Sequence, residues 1–174
     1  MLNEQAISTL HHLLDYDAQK FTSAEVLLKN SLKDWIQTAS SPMLKTVLQK
    51  YLSFTEEHIE RLEKFYEDEK ISSLSTTNRV MYAFIAETTD KLNHCTDKQV
   101  ADACLLACIQ SINHFKISIY GTAAAYANTL EMTGHAELFH EAEVNEKQID
   151  DRLSQLAQYD VNIKAKSPIV VIAH

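Results

Sequence analysis

Two glycines and two prolines in 174 residues are too few for the tight turns of an all-β chain. No apolar run approaches the roughly 20 residues that cross a bilayer, and the opening MLNEQAISTLHH lacks the basic-then-apolar layout of a signal peptide. A basic stripe is also missing. Sixteen Lys and Arg stand against 24 Asp and Glu, and an acidic surface repels a phosphate backbone. Neither a membrane nor a nucleic acid is therefore expected as partner, and the expected compartment is the cytoplasm. There is no G-x-S-x-G, no glycine-rich phosphate loop and no Cys-x-x-Cys. Cys95, Cys104 and Cys108 read as free, small core residues kept reduced. One absence is local: residues 110–129, QSINHFKISIYGTAAAYANT, contain no Asp or Glu.

What is present is apolar residue at helical spacing. At 45% hydrophobic, the chain can form one domain and bury roughly 70% of its unfolded surface. The periodicity predicts helices over residues 2–39, 43–70, 78–93, 97–132 and 135–159. Ser41 and Pro42 supply a cap and a first-turn residue for the second, the polar SSLSTT is a loop, and Gly134 is expected to end the fourth. The inward row of the first helix is Ile7, Leu10, Leu14, Ala18, Phe21, Leu28, Leu32 and Trp35. In the second it is Leu44, Leu48, Tyr51, Phe54, His58, Leu62 and Phe65. Four long helices and one short one with brief links make an all-α bundle over residues 1–160. Residues 161–174 are read as an extended tail, with Pro168 and the run 169–172 able to pair with a partner's edge.

A four-helix bundle can hold a dinuclear metal centre when two helices each give a Glu and two each give a Glu-x-x-His. Here the inward histidines are taken to be His58 and His114, but Thr55 and Ser111 stand three residues before them. The one true match, ELFH at Glu137 to His140, is expected to point outward because Phe139 and Ala142 lead the buried row. Glu25 and Glu146 are the remaining inward carboxylates, while Glu56, Glu57 and Glu60 form a solvated face. Lys116, leaning inward, would pair with Glu146 or Glu25, since a lone buried charge is costly. The simplest expectation is histidines hydrogen-bonded within the core. A mono- or dinuclear iron, manganese or zinc site on Glu25, His58, His114 and Glu146 is the alternative. Val100, Cys104, Ala107, Ser111, His114, Ser118, Gly121 and Ala125 also form a seam of mostly small residues, suited to close helix packing or, as the sharper alternative, to a ligand cleft.

HIERLEKFYE, DACLLACIQSINHFKISIYGT and NEKQIDDRLSQLA, with LLDYDAQK in the first helix, resemble the bacterial YciE/YciF-like family over most of residues 10–158. The resemblance implies a ferritin-like four-helix bundle with an additional short helix, a tendency to form homodimers, a link to stress responses, and a dinuclear metal site in members that keep its ligands. Against that pattern Gln19 stands for a Glu, Phe54 for a carboxylate, and Asn113 and Lys116 for the acids around His114; Glu146 matches the family's acidic region. The chain is therefore expected to be a non-catalytic member without a cofactor. Its vestigial site would comprise Gln19, Phe54, His58, Asn113, His114, Lys116 and Glu146, with Phe54 plugging the former cavity. A metal-binding oxidoreductase-like or storage protein is the alternative.

Overall fold

A computed structural model describes residues 6–71 and 77–166. Thr9 accepts from the His12 amide and opens α1 (Leu10–Ala18); α2 (Phe21–Thr38) follows almost at once. The single first helix read from the sequence is thus broken at Gln19 and Lys20. No glycine or proline causes the break. Instead, side chains from elsewhere hold the broken backbone: the Tyr66 hydroxyl donates to Ala18 O, and the Asn78 side-chain amide donates to Lys20 O, which also accepts from the Ala24 amide. Ser41 caps α3 (Pro42–Asp68) through the Leu44 amide, with Pro42 in the first turn as its fixed φ favours. Asn78 caps α4 (Arg79–His94), and Asp97 caps α5 (Lys98–Thr129) by accepting from Gln99 and Val100.

The expected stop at Gly134 is not observed. Glu131 takes the left-handed conformation at φ 60°, and the Met132 amide closes back on Ala127 O. Gly134 instead lies within the first turn of α6 (Thr133–Leu156), where nothing crowds it. Lys70, at φ 56°, ends α3 in the same way, with the Ile71 amide returning to Tyr66 O. The tail boundary also moves. A π-helical stretch, Ala157–Val161, and α7 (Asn162–Lys166) continue the chain as helix because Val161 is buried in the core. The extended arm expected around Pro168, and most of the SSLSTT loop, lie outside the described residues.

Helix α5 packs along α6, α2 along α3, α3 against α6, and α4 across α2 and α5, with no strand among the described residues. The architecture is the expected all-α, ferritin-like bundle. No helix among the described residues is long and apolar enough to cross a membrane. The core divides in two. One apolar cluster gathers around Leu28, Trp35, Leu48, Tyr51, Met81, Ile112 and Leu153. The other gathers around Leu14, Phe21, Phe65, Tyr120, Phe139 and Ala142. Between them, in chain order on each helix, lie the buried polar residues Glu25, His58, Lys116 and Glu146.

Candidate functional site: a lysine between two carboxylates

Each long helix sends one Glu, His or Lys side chain into the layer between the two apolar clusters. Helical spacing puts Glu25 one turn from Phe21 and Leu28, and Glu146 one turn from Ala142 and Ile149, so both ride on buried stripes. On α5, Asn113, Lys116 and Tyr120 follow at steps of three and four and share one face.

Lys116 has no exposed side-chain surface. Its Nζ lies 2.9 Å from Glu25 Oε2 and 2.6 Å from Glu146 Oε1, as ion pairs rather than aligned hydrogen bonds. Tyr51 donates to Glu146 Oε2 at 2.7 Å, and Asn113 Nδ2 donates to the same oxygen at 2.7 Å and to the Glu146 carbonyl at 2.9 Å. Tyr120 donates to Glu25 Oε1, and His58 Nδ1 stands 3.3 Å from that oxygen and 3.6 Å from Glu146 Oε1. These contacts place the imidazole proton on Nδ1 and leave Nε2 to accept from Asn145 Nδ2 at 3.4 Å.

The electrostatics follow from this geometry. Burial alone would raise the Glu25 carboxyl, but the Lys116 charge and the bonds from His58 and Tyr120 hold it down at about 2. Burial would likewise lower Lys116, yet Glu146 and Glu25 together keep its ammonium above the ordinary lysine value. Burial and then the neighbouring carboxylates push both phenols, Tyr51 and Tyr120, well above their usual range, so each keeps the proton it donates to a carboxylate. With an ammonium between two carboxylates, the layer is an internally paired network. A breach in it would leave a charge uncompensated.

Of the residues marked in the sequence, the structure gathers Glu25, His58, Asn113, Lys116 and Glu146. It sets His114 and Gln19 apart from them. His114 is exposed on the outer face of α5, with Nε2 at 2.8 Å from Asp150 Oδ1. Two steps along a helix turn a side chain by about 200°, so His114 and Lys116 cannot both face the centre. Gln19 ends α1 at the break, and the structure gives its side chain no contact with the layer. Phe54 is buried one turn from His58, in the apolar cluster that also holds Leu48 and Tyr51, with Lys50 Nζ 4.1 Å from its ring centroid. The small-residue seam is displaced for the same reason as His114: Ser111, Ser118 and Ala125 are exposed, although Gly121 does face α6, where an added Cβ would lie 3.1 Å from a Glu143 carboxylate oxygen.

Tyr51 and Tyr120 are the functional residues that sequence reasoning missed. Tyr51 is in the inward row but reads as an ordinary core aromatic, and Tyr120 follows Lys116 at a four-residue step. Glu137 and His140 point outward as expected. Cys108 is buried, with Cys95 and Cys104 half-buried and all three free.

Known proteins share this fold. Protein YciF of Escherichia coli (strain K12) is 31% identical over 146 residues, 83% of this chain and 88% of its own. The crystal structure of the E. coli stress protein YciF superposes with a TM-score of 0.82 at 28% identity, covering 90% of this chain and 99% of that one. YcfI from Rhodopseudomonas palustris has the same fold, with a TM-score of 0.82 at 24% identity over 87% of this chain and 96% of its own. So does part of a two-domain Anabaena variabilis protein with DJ-1/ThiJ/PfpI-like and ferritin-like domains, at a TM-score of 0.57 and 15% identity over 96% of this chain and 41% of that one. A family model described as a domain of unknown function, DUF892, matches residues 9–166, and the chain belongs to that family.

Proposed function

We propose that this chain is a non-catalytic, stress-associated protein of the YciF type, in which an internal ion-pair network stands at mid-bundle in place of a metal pair. The observation that carries this reading is the Lys116 ammonium, 2.9 Å and 2.6 Å from the two carboxylates of the layer, Glu25 and Glu146. A dinuclear centre calls for four carboxylates and two histidines. The layer offers Glu25, Glu146 and His58, already paired with a fixed positive charge and three hydrogen-bond donors. These residues do not fit such a centre, and a cation there would have to displace or deprotonate a lysine whose proton the same carboxylates hold.

The role is structural or interaction-based, with a homodimer as the expected assembly and the cytoplasm as the expected compartment. The alternative of a redox or storage site on Glu25, His58, His114 and Glu146 loses support from the outward position of His114. The test is aerobic incubation with Fe(II): the chain should oxidise iron no faster than buffer. Turnover that disappears in Glu146→Gln would overturn the reading. Light scattering checks the dimer.

A further inference from the structure

A second set of metal-ligating side chains lies outside the polar layer, where α1 meets the ends of α3 and α6. His11 and Asp15 sit one turn apart on α1 and so share a face. Glu69, immediately after α3, reaches across to them: His11 Nε2 is 2.7 Å from Glu69 Oε2 and 3.8 Å from Asp15 Oδ2. These three donor atoms lie within 4.8 Å of one another. His135 of α6 stands behind Glu69, with Nδ1 at 3.6 Å from Glu69 Oε1 and Nε2 at 3.1 Å from Asp68 Oδ2, and its ring is wedged edge-on against Phe65.

Two further observations call for a cation here. Asp15 Oδ1 is buried and has no hydrogen-bond partner among the described residues. Helix α3 also ends in Glu67 and Asp68, followed by its cap Glu69, with no basic residue in its last turn and Lys70 only beyond the cap, although the carbonyl end of a helix already carries negative charge.

We propose that His11, Asp15 and Glu69 bind one divalent cation of the zinc class, with His135 orienting Glu69 from behind. An imidazole nitrogen and two carboxylate oxygens suit zinc or cobalt and disfavour calcium or magnesium. The two carboxylates balance the ion's charge. Around zinc at about 2.0–2.1 Å, tetrahedral donors lie about 3.3 Å apart, a spacing these side chains reach by small rotations from their present contacts. His11 is half exposed, which leaves the fourth position to water. The ion fastens α1 to α3. A nine-residue helix is marginal by itself, so the ion adds to the hold that buried Leu14 and Ala18 already give α1.

Full-length chain stripped with chelator is titrated with Co(II), whose visible absorption reports four-coordinate binding, and then with Zn(II) in competition. One ion per chain is expected. His11→Ala and Glu69→Gln should each weaken binding at least tenfold, while His94→Ala, a histidine on α4, should not change it. Zinc should also slow amide exchange across residues 10–18. If His11→Ala loses helicity, the isosteric Glu69→Gln carries the test. No stoichiometric binding, or binding unchanged in Glu69→Gln, overturns the proposal and leaves the ion-pair reading intact. Binding lost instead in Glu146→Gln overturns both.

Discussion

His114 and Lys116 stand two residues apart on α5 and face opposite ways: the His114 side chain is 62% exposed and that of Lys116 is not exposed at all. The first makes a surface pair with Asp150. The second anchors the polar layer that joins all four long helices. The difference between these neighbours decides which residues can take part in any chemistry at the centre of the bundle.

Removing the lysine should be costly. Lys116→Met leaves Glu25 and Glu146 buried without their counter-charge, so we expect a loss of about 3–5 kcal/mol in urea unfolding. The triple variant Glu25→Gln, Lys116→Met, Glu146→Gln removes every formal charge of the trio together and should recover a large part of that loss. A triple variant less stable than Lys116→Met alone would contradict the pairing.

Acid should weaken the fold through Glu25. Its carboxyl falls from an ordinary 4.5 to about 2 in the folded chain, so the unfolded state takes up the proton first. The contribution is complete above about pH 4.5 and is lost between there and about pH 2. Lys116 is raised above 10.5, so its contribution is complete below that value and is lost as the pH climbs past the folded value. Melting curves across this range should show a weaker acid decline in Glu25→Gln than in the parent chain.

Asp102 makes a separate prediction at the junction between α2 and α3. Its carboxylate accepts from the Ser40 amide at 2.9 Å, the Ser40 hydroxyl at 2.5 Å and the Ser41 amide at 2.8 Å. Asp102→Ala strands those donors and should cost roughly 2–3 kcal/mol by thermal or chemical unfolding.

His114→Ala should be nearly silent. An exposed ion pair contributes at most about 1 kcal/mol, and the side chain has no part in the buried layer. A stability loss comparable to that of Lys116→Met would show that α5 is rotated relative to this structure.

Much of the molecule is written in local pattern. The cap at Ser41 and Pro42, the inward row from Leu44 to Phe65, and the row Phe139, Ala142, Glu146, Ile149 and Leu153 follow from short-range chemistry and helical spacing. The possibility that Lys116 meets Glu25 and Glu146 is legible too, because a buried charge needs a partner. The break at Gln19 and the true end of α5 are not. Each depends on what distant groups do for the backbone, as Tyr66 and Asn78 do at the break, or on a left-handed residue, Glu131, that composition does not mark.

The sequence by itself determined that this chain is a bundle of long helices in which any charge turned inward must find a partner, because periodicity and the need to pair charge are properties of residue order. Tertiary structure alone decided which side of α5 faces in. That helix carries small or apolar residues around most of its circumference, so no single stripe labels the core, and only packing against α6 turns Lys116 and Tyr120 inward and His114 to solvent.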